Sequence, residues 1–499
     1  MQAVMRQNHR GTAPSSATFG SDDQSSCLGY LMIILAALLA VRLIGLDLLA
    51  TDLFFDEAQY WSWSLDPAFG YYSKPPLIAW LIGSATAVCG HLEACIRAPG
   101  PLLHTATALL TFFLARSLYN DRVGFWAAII IVTAPSVSLS SIVISTDAAL
   151  LTCWTAALMA LNRYLETGSW RAALALGVLI GIGLNAKYAM IYLPACTLVY
   201  ASLTPRYRWI FTSPKSLLVL VTGAALLLPN LMWNLQNGMA TFAHTKDNAN
   251  WSGFELHFDR AAEFIGGQFG VFGPVMVLAL LAMVVTGRRT DKPGQDRFLL
   301  FHSLPILALM IAQALFSRAH ANWAATAYPA VAIVVVAWLL TPARQWLLAV
   351  SVAIRAAAVI VILVAGTAAA DLRLPGIGRP FERVLGWQAA ADKLRTIITQ
   401  QQPSAMIFIR RRDIAEMLYY LRDMDVPLYA FKAEGRAPTD HFQLTRAWPT
   451  DRPGVALLVT PYADTSALPF AGDLELIHEI NVSRGVSKSL KFRVHRLNR

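Results

Sequence analysis

Charge is what this sequence has least of. Asp, Glu, Lys and Arg make up 14% of its 499 residues and hydrophobic types 56%, against about 25% charged in an ordinary soluble domain. With a mean hydropathy of +0.48, this excludes a soluble globular protein and implies a polytopic membrane protein. Cysteine is also sparse. The five, at 27, 89, 95, 153 and 196, have no metal-ligand spacing and are too few for a disulfide scaffold. Cys89 and Cys95 could pair if their loop lay outside the cytoplasm. Small cysteines in apolar phase are more often packed thiols, and that is the expectation for this pair. No internal repeat is apparent, which speaks against a secondary transporter or a lipid or glycan flippase. Nor is there a Gly-rich phosphate loop or a Ser-His-Asp cue.

What charge there is lies unevenly. Most of 28–370 consists of apolar runs with short polar gaps, whereas 371–499 is rich in Asp, Glu, Arg and Lys. The chain therefore divides into a membrane body and a polar C-terminal domain. Residues 1–27 are rich in Ser, Gln and Gly without an apolar core, and read as a disordered cytoplasmic tail, not a cleaved leader. Runs long enough to span occur near 28–49, 99–117, 123–143, 147–164, 171–187, 188–203, 216–234, 270–287, 298–316, 322–340 and 346–369, eleven in all. The short run 76–90, opening on Pro-Pro, reads as an interfacial helix.

Basic residues test that choice. With the tail inside, the cytoplasmic gaps hold Arg116/Arg122, Arg163/Arg171, Arg206/Arg208/Lys215, Arg288/Arg289/Lys292/Arg297 and Arg344, as the positive-inside rule requires. The opposite gaps are 50–98, 144–147, near 187, 235–269 and 317–321. Eleven crossings put the C-terminal domain outside, in the periplasm of a bacterial inner membrane. The net charge of +10 suits anionic headgroups or phosphorylated substrates, and no nucleic-acid partner is expected. In the C-terminal domain, the apolar runs Ala405–Ile409 and Val455–Thr460 alternate with helical stretches at Gly386–Gln402 and Asp413–Arg422. This is an α/β pattern, and its expected role is a lid or scaffold.

The polar residues that stand out collect on the outer face. They are Asp56 and Glu57 after the first run, Lys74 before the interfacial helix, Asp147, Lys187 and Tyr188, and Arg318, His320, Asn322 and Trp323. Ionisable groups at membrane depth cost at least ~2.5 kcal/mol unless paired or wet, so together they suggest one polar cavity. Each has a plainer reading. Asp147 could cap a helix, Lys187 could snorkel, His320 could be a structural histidine, and the rings around Tyr60, Tyr71 and Tyr72 could form an interfacial belt. A belt does not explain an acidic pair among the rings.

The segments "DEAQYWSWSLDPAFGYYSKPPLIAWLI", "STDAALLTCWTAALMALNRYL", "GLNAKYAMIYLP" and "HANWAATAYPA" resemble the GT-C superfamily of membrane glycosyltransferases. The similarity is to the branch with lipid A aminoarabinose transferases, protein O-mannosyltransferases and rhizobial lipopolysaccharide galacturonosyltransferases, and covers about residues 28–340. It implies transfer of a sugar from a polyprenyl-phosphate carrier to a lipid A or lipopolysaccharide acceptor; a protein acceptor is the alternative, though no peptide-binding feature supports it. It further implies Asp56 as the principal catalytic carboxylate of an inverting displacement, with Glu57 orienting it or the acceptor. Lys74 would hold the leaving phosphate, and Asp147, the second acidic residue, would pair with Lys74 or touch the sugar. Lys187, His244, Lys246, Arg318 and His320 are further candidates for phosphate, and Tyr60, Tyr71, Tyr72 and Trp323 for sugar, whose apolar face suits a ring. Cations can offset the single leaving phosphate, so no metal or other cofactor is expected. A monomer is expected.

Overall fold

The computed structural model describes residues 21–249, 255–369, 371–372, 381–449, 453–466, 468–484 and 488–498. Residues 1–20 of the expected tail lie outside the described residues, and α1 (Ser21–Asp47) already covers 21–27. After it come the short helices α2 (Phe55–Ser64), α3 (Leu77–Cys89) and α4 (Glu93–Arg97). Then follow α5 (Pro99–Leu118), α6 (Asp121–Val132), α7 (Pro135–Leu139), α8 (Thr146–Thr167), α9 (Trp170–Ala186), α10 (Tyr192–Ser202) and α11 (Pro214–Gln236). The body continues through α12 (Ala240–Ala249), α13 (Phe258–Phe272), α14 (Pro274–Thr286), α15 (Pro293–Phe301), α16 (Leu304–Phe316), α17 (Tyr328–Leu339) and α18 (Gln345–Thr367). Proline opens several of them, at Pro99, Pro135, Pro214, Pro274 and Pro293, where its missing N–H costs nothing.

Among the described residues six helical runs are long and apolar enough to cross a membrane, or seven if α13 and α14, bent by 119° at Gly273, form one broken span. The run expected over 123–143 is not one rod. It stops at Val132 and restarts at Pro135. Two fully buried arginines serve the carbonyls that this break exposes. Arg42 of α1 donates to Val132 O at 2.7 Å and Ser138 Oγ at 3.3 Å, and Arg355 of α18 donates to Ile130 O at 2.9 Å and also to Phe272 O. A cation at a helix C-terminus also meets the negative end of its dipole.

Cys89 and Cys95 form a disulfide, with Cα atoms 6.0 Å apart, and are not the packed thiols expected. Gly90, at φ 81°, reverses the chain at the end of α3 and carries it straight back through α4, within bridging distance.

The C-terminal part comprises α19 (Trp387–Gln401), β1 (Ala405–Phe408), α20 (Arg411–Tyr420), β2 (Leu428–Ala430), α21 (His441–Thr445), β3 (Val455–Thr460), β4 (Leu474–Ser483) and β5 (Ser489–Asn498). The strands lie in the order β2-β1-β3-β5-β4. β1 is parallel to β2 and β3, while β5 runs antiparallel to β3 and β4. Alternation along the strands sends Met406, Phe408, Leu457 and Val459 to one face and Ala405, Ile407, Ala456 and Leu458 to the other. The first face does not close on itself. With α19 and α20 it joins one hydrophobic core with Leu53, Trp61, Trp63, Ile78, Ile82 and Ile144 of the membrane body. Polar ties reinforce that seam: Leu53 N donates to Tyr420 Oη at 2.7 Å, Trp387 N to Asp52 Oδ2 at 2.6 Å, and Tyr419 Oη to His91 O at 2.9 Å.

Candidate active site

A polar cavity of about 440 Å³ lies where α2, the 65–76 loop, the N-terminus of α8, the C-terminus of α9, α12 and the 317–323 segment meet. Its lining includes Asp56, Tyr60, Lys74, Asp147, Lys187, His244, His320 and Trp323. Eight of the thirteen residues to which the resemblance gives a role therefore share one cavity.

Asp147 lies in the first turn of α8 and is buried. It does not cap the helix. Its Oδ1 accepts from Lys187 Nζ at 2.6 Å and its Oδ2 from Asn322 Nδ2 at 2.8 Å. Lys187 sits at the residue where α9 ends, in extended conformation, which turns its side chain across to α8 and not out toward headgroups. The charge pair expected between Asp147 and Lys74 is thus made with Lys187 instead. Asp56, in the first turn of α2, meets a cation that the sequence reading missed. Arg411 Nη1 lies 3.2 Å from Asp56 Oδ1, and the same guanidinium group donates to Gln59 Oε1 at 3.1 Å.

With each carboxylate matched, Lys74 is left over. It lines the cavity without a carboxylate at ion-pair distance among the described residues. Burial lowers its pKa from the usual lysine value, and Lys187 nearby lowers it further. The loop that carries it is pressed onto α11: Asn230 Nδ2 donates to Phe69 O at 2.8 Å, and a Cβ on Gly70 would come within 2.5 Å of the Trp233 ring. Thr241 Oγ1 of α12 bonds Tyr71 O at 2.8 Å from the other side. His244 is held neutral, its pKa lowered to about 4 by burial and then by Lys74. The pKa of His320 is also lowered, by burial and then by Arg318, and its ring stands edge-on to Trp323 at 5.3 Å.

Five expected site residues lie outside the lining. Glu57 is fully buried. Its Oε1 accepts from Ile144 N at 2.8 Å and Arg97 Nε at 3.1 Å, and its Oε2 from Phe54 N at 2.9 Å and Arg97 Nη2 at 3.0 Å. Tyr71 stacks on Trp63 at 4.5 Å, and its hydroxyl donates to Trp63 O. Tyr72 backs the His244 ring and donates to Pro438 O at 3.1 Å. Lys246 and Arg318 are exposed beyond the cavity. No three His, Cys, Asp or Glu side chains are grouped to hold a metal among the described residues. Lys74 and Lys187 line the cavity with Asp56 and Asp147, and with Arg411 set against Asp56 from outside three cations stand against two carboxylates, the electrostatics of a pocket for one anionic group beside a free carboxylate edge.

Residues 73–233 match the family described as dolichyl-phosphate-mannose-protein mannosyltransferase. The lipid A galacturonosyltransferase RgtD of Rhizobium johnstonii is 34% identical over 428 residues, which covers 85% of this chain and 89% of that one. Among solved structures, ArnT from Cupriavidus metallidurans superimposes with a TM-score of 0.64 in the apo state and 0.65 when bound to undecaprenyl phosphate, at 14% and 16% identity. In both, 94% of this chain and 98% of ArnT are covered, so the two proteins share a fold from end to end. The identity to RgtD goes further than shared fold, and the chain belongs to the GT-C membrane glycosyltransferases, in the branch of the lipid A transferases.

Proposed function

We propose that the protein transfers a sugar from a polyprenyl-phosphate carrier to a lipid A or lipopolysaccharide acceptor at the periplasmic face of the bacterial inner membrane. The observation that carries this reading is the cavity itself: Asp56 and the unmatched Lys74 line one polar space at the edge of an apolar helical body. In this reading the chain crosses the membrane eleven times, with α6 to α10, outside the six or seven long apolar runs, completing the count, and acts as a monomer. The Cys89–Cys95 disulfide supports an oxidising compartment for the face that carries the cavity.

Lys74 takes the carrier phosphate, whose charge grows as the glycosidic bond breaks, so a cation and not a general acid serves the leaving group. Asp56 keeps Oδ2 for the acceptor hydroxyl, takes its proton, and directs attack on the anomeric carbon from the face opposite the phosphate, inverting it. Asp147, fixed by Lys187 and Asn322, sets the sugar between Asp56 and Lys74, and Tyr60 and Trp323 offer ring faces to it. Glu57 is a positioning residue. It ties α2, which carries Asp56, to Ile144, just before Asp147. The sugar is a hexuronic acid, a reading supported by the similarity to RgtD.

The test is the lipid A mass profile of cells lacking the gene, complemented with wild type or Asp56→Asn. A hexuronic acid mass that returns only with wild type is expected. Return of the mass with Asp56→Asn removes Asp56 from the base role, and an unchanged profile in the deleted strain removes the lipid A acceptor.

A further inference from the structure

A second concave site lies behind α2. It is a cavity of about 350 Å³ bordered by Phe55, Arg383, Trp387, Arg410, Arg411, Arg412 and Arg484. Five guanidinium groups around one small space repel one another strongly unless an anion is drawn in. The acids facing them do not neutralise the set. Asp413 takes Arg410 at 2.6 Å and Arg412 at 3.4 Å, Asp56 takes Arg411, and Glu382 is turned to Lys488 at 3.0 Å. Glu416, buried behind the cluster, is pushed toward its neutral form by desolvation.

Arg484 is the informative member. It is 7% exposed, its guanidinium lies over the Trp387 ring at 4.7 Å, and its Nε and Nη2 are buried without a hydrogen-bond partner among the described residues. A buried guanidinium with unmet donors is costly unless a ligand completes it. The N-terminus of α20 borders the same space at Arg411, so its dipole adds positive potential there. Arg411 also lies over the Phe55 ring at 5.0 Å and reaches Asp56 in the neighbouring cavity.

We infer that this junction is a second anion site, built by Arg383, Arg411, Arg412 and Arg484, which takes an oxyanion on the sugar headgroup of the acceptor lipid and so sets the acceptor against Asp56. The inference rests on the transferase reading above. Planar guanidinium forks suit the paired oxygens of a phosphate ester or a carboxylate. Phe55 and Trp387 supply apolar walls for the ring that carries it. Because Phe55 and Asp56 are consecutive on α2, an anion held here lies one residue from the proposed base.

Two experiments test the site. The first measures transfer kinetics with lipid A as acceptor for wild type, Arg383→Gln, Arg484→Gln and Arg484→Lys. The acceptor KM is expected to rise about tenfold in each Gln variant, the scale of one charge-assisted contact, with donor KM unchanged and Arg484→Lys restoring part of the loss. Arg383 is exposed, so its variant keeps the fold. Inorganic phosphate should raise the acceptor KM of wild type and leave the Arg383→Gln/Arg484→Gln protein indifferent. An acceptor KM that does not move, or phosphate competing with donor alone, overturns the proposal. The second follows inorganic phosphate by ³¹P saturation transfer in the Lys74→Met protein, which lacks the unmatched ammonium of the first cavity. Binding lost with the two arginines supports the site whether or not sugar is transferred, and binding that persists without them overturns it. Wild type that binds phosphate here but transfers to no acceptor refutes the transferase reading instead.

Discussion

Replacing Glu57 by Gln tests whether a buried ion pair, outside the cavity, sets the geometry within it. Glu57 is fully buried and Arg97 is 1% exposed. The carboxylate accepts from Phe54 N, Ile144 N and two nitrogens of Arg97. An amide there must point its NH2 at one of these donors whichever way it turns, and among the described residues it leaves Arg97 with only Glu93, at 3.6 Å, as counter-charge. Breaking such a pair from one side costs about 3–5 kcal/mol. For 499 residues the unfolding entropy is about 1 kcal/mol/K, so the melting point in detergent should fall by about 3–5 °C. Glu57→Gln/Arg97→Met should recover part of this, because removing both charges leaves neither stranded, with a coupling of about 2 kcal/mol or more. Ile144 lies three residues before Asp147, so kcat should fall on the order of 10²-fold, the usual effect of a misplacement near 1 Å. A wild-type melting point in Glu57→Gln, or strictly additive losses in the double variant, refutes the reasoning.

Lys74 should set an alkaline limit on donor use. Its pKa is lowered by burial and by Lys187, so as pH rises through that depressed value the ammonium is lost and donor kcat/KM should fall at a lower pH than an ordinary lysine, near ~10.4, would allow. Lys74→Arg should carry that limb out of the measurable range, and an unmoved limb assigns it to another group. Gly70→Ala puts a Cβ within 2.5 Å of the Trp233 ring and must shift the loop that carries Lys74. The expected result is a loss of about 10²-fold in kcat/KM with a stability change of only about 1–3 kcal/mol. A wild-type rate would show that loop placement does not matter.

The residues of the site were legible where each stands at the end of an apolar run that the alternation of basic gaps assigns to one side. Asp56, Lys74, Asp147 and Lys187 each sit beside the end of an apolar run, and charge at such ends points to a common polar space. What each one touches was not legible. Lys187 reaches Asp147 because α9 ends in an extended residue packed against the start of α8, a matter of tertiary packing. Asp56 and Glu57 look alike in sequence, but successive helical positions are turned by about 100°, so one faces the cavity and the other the interior. Tyr71 and Tyr72 also part, but in the loop after α2, into a stack with Trp63 and a contact with His244. The broken run at Val132 was hidden because Arg42 and Arg355, which compensate for it, lie in other spans. The disulfide was hidden because it depends on how sharply Gly90 turns.

Arg411 was the largest omission, and its cause bears on how the protein works. The triplet Arg410–Arg412 follows a buried strand and opens α20, and it carries no signal of a partner 355 residues earlier in the chain. A C-terminal domain expected as a lid or scaffold would form its own core and rest on the membrane body through a polar, movable interface. Here α20 packs on α2 within a single hydrophobic core that contains Trp61, Trp63, Met417 and Tyr419. Moving the domain as a lid would expose that core at about 25 cal/mol for each Å² uncovered. Arg411, at the start of α20, is therefore brought to Asp56 by a helix fixed in that core. The domain backs the site through Arg411, which stands against Asp56, and a swing of the whole domain away from α2 would have to break that shared core.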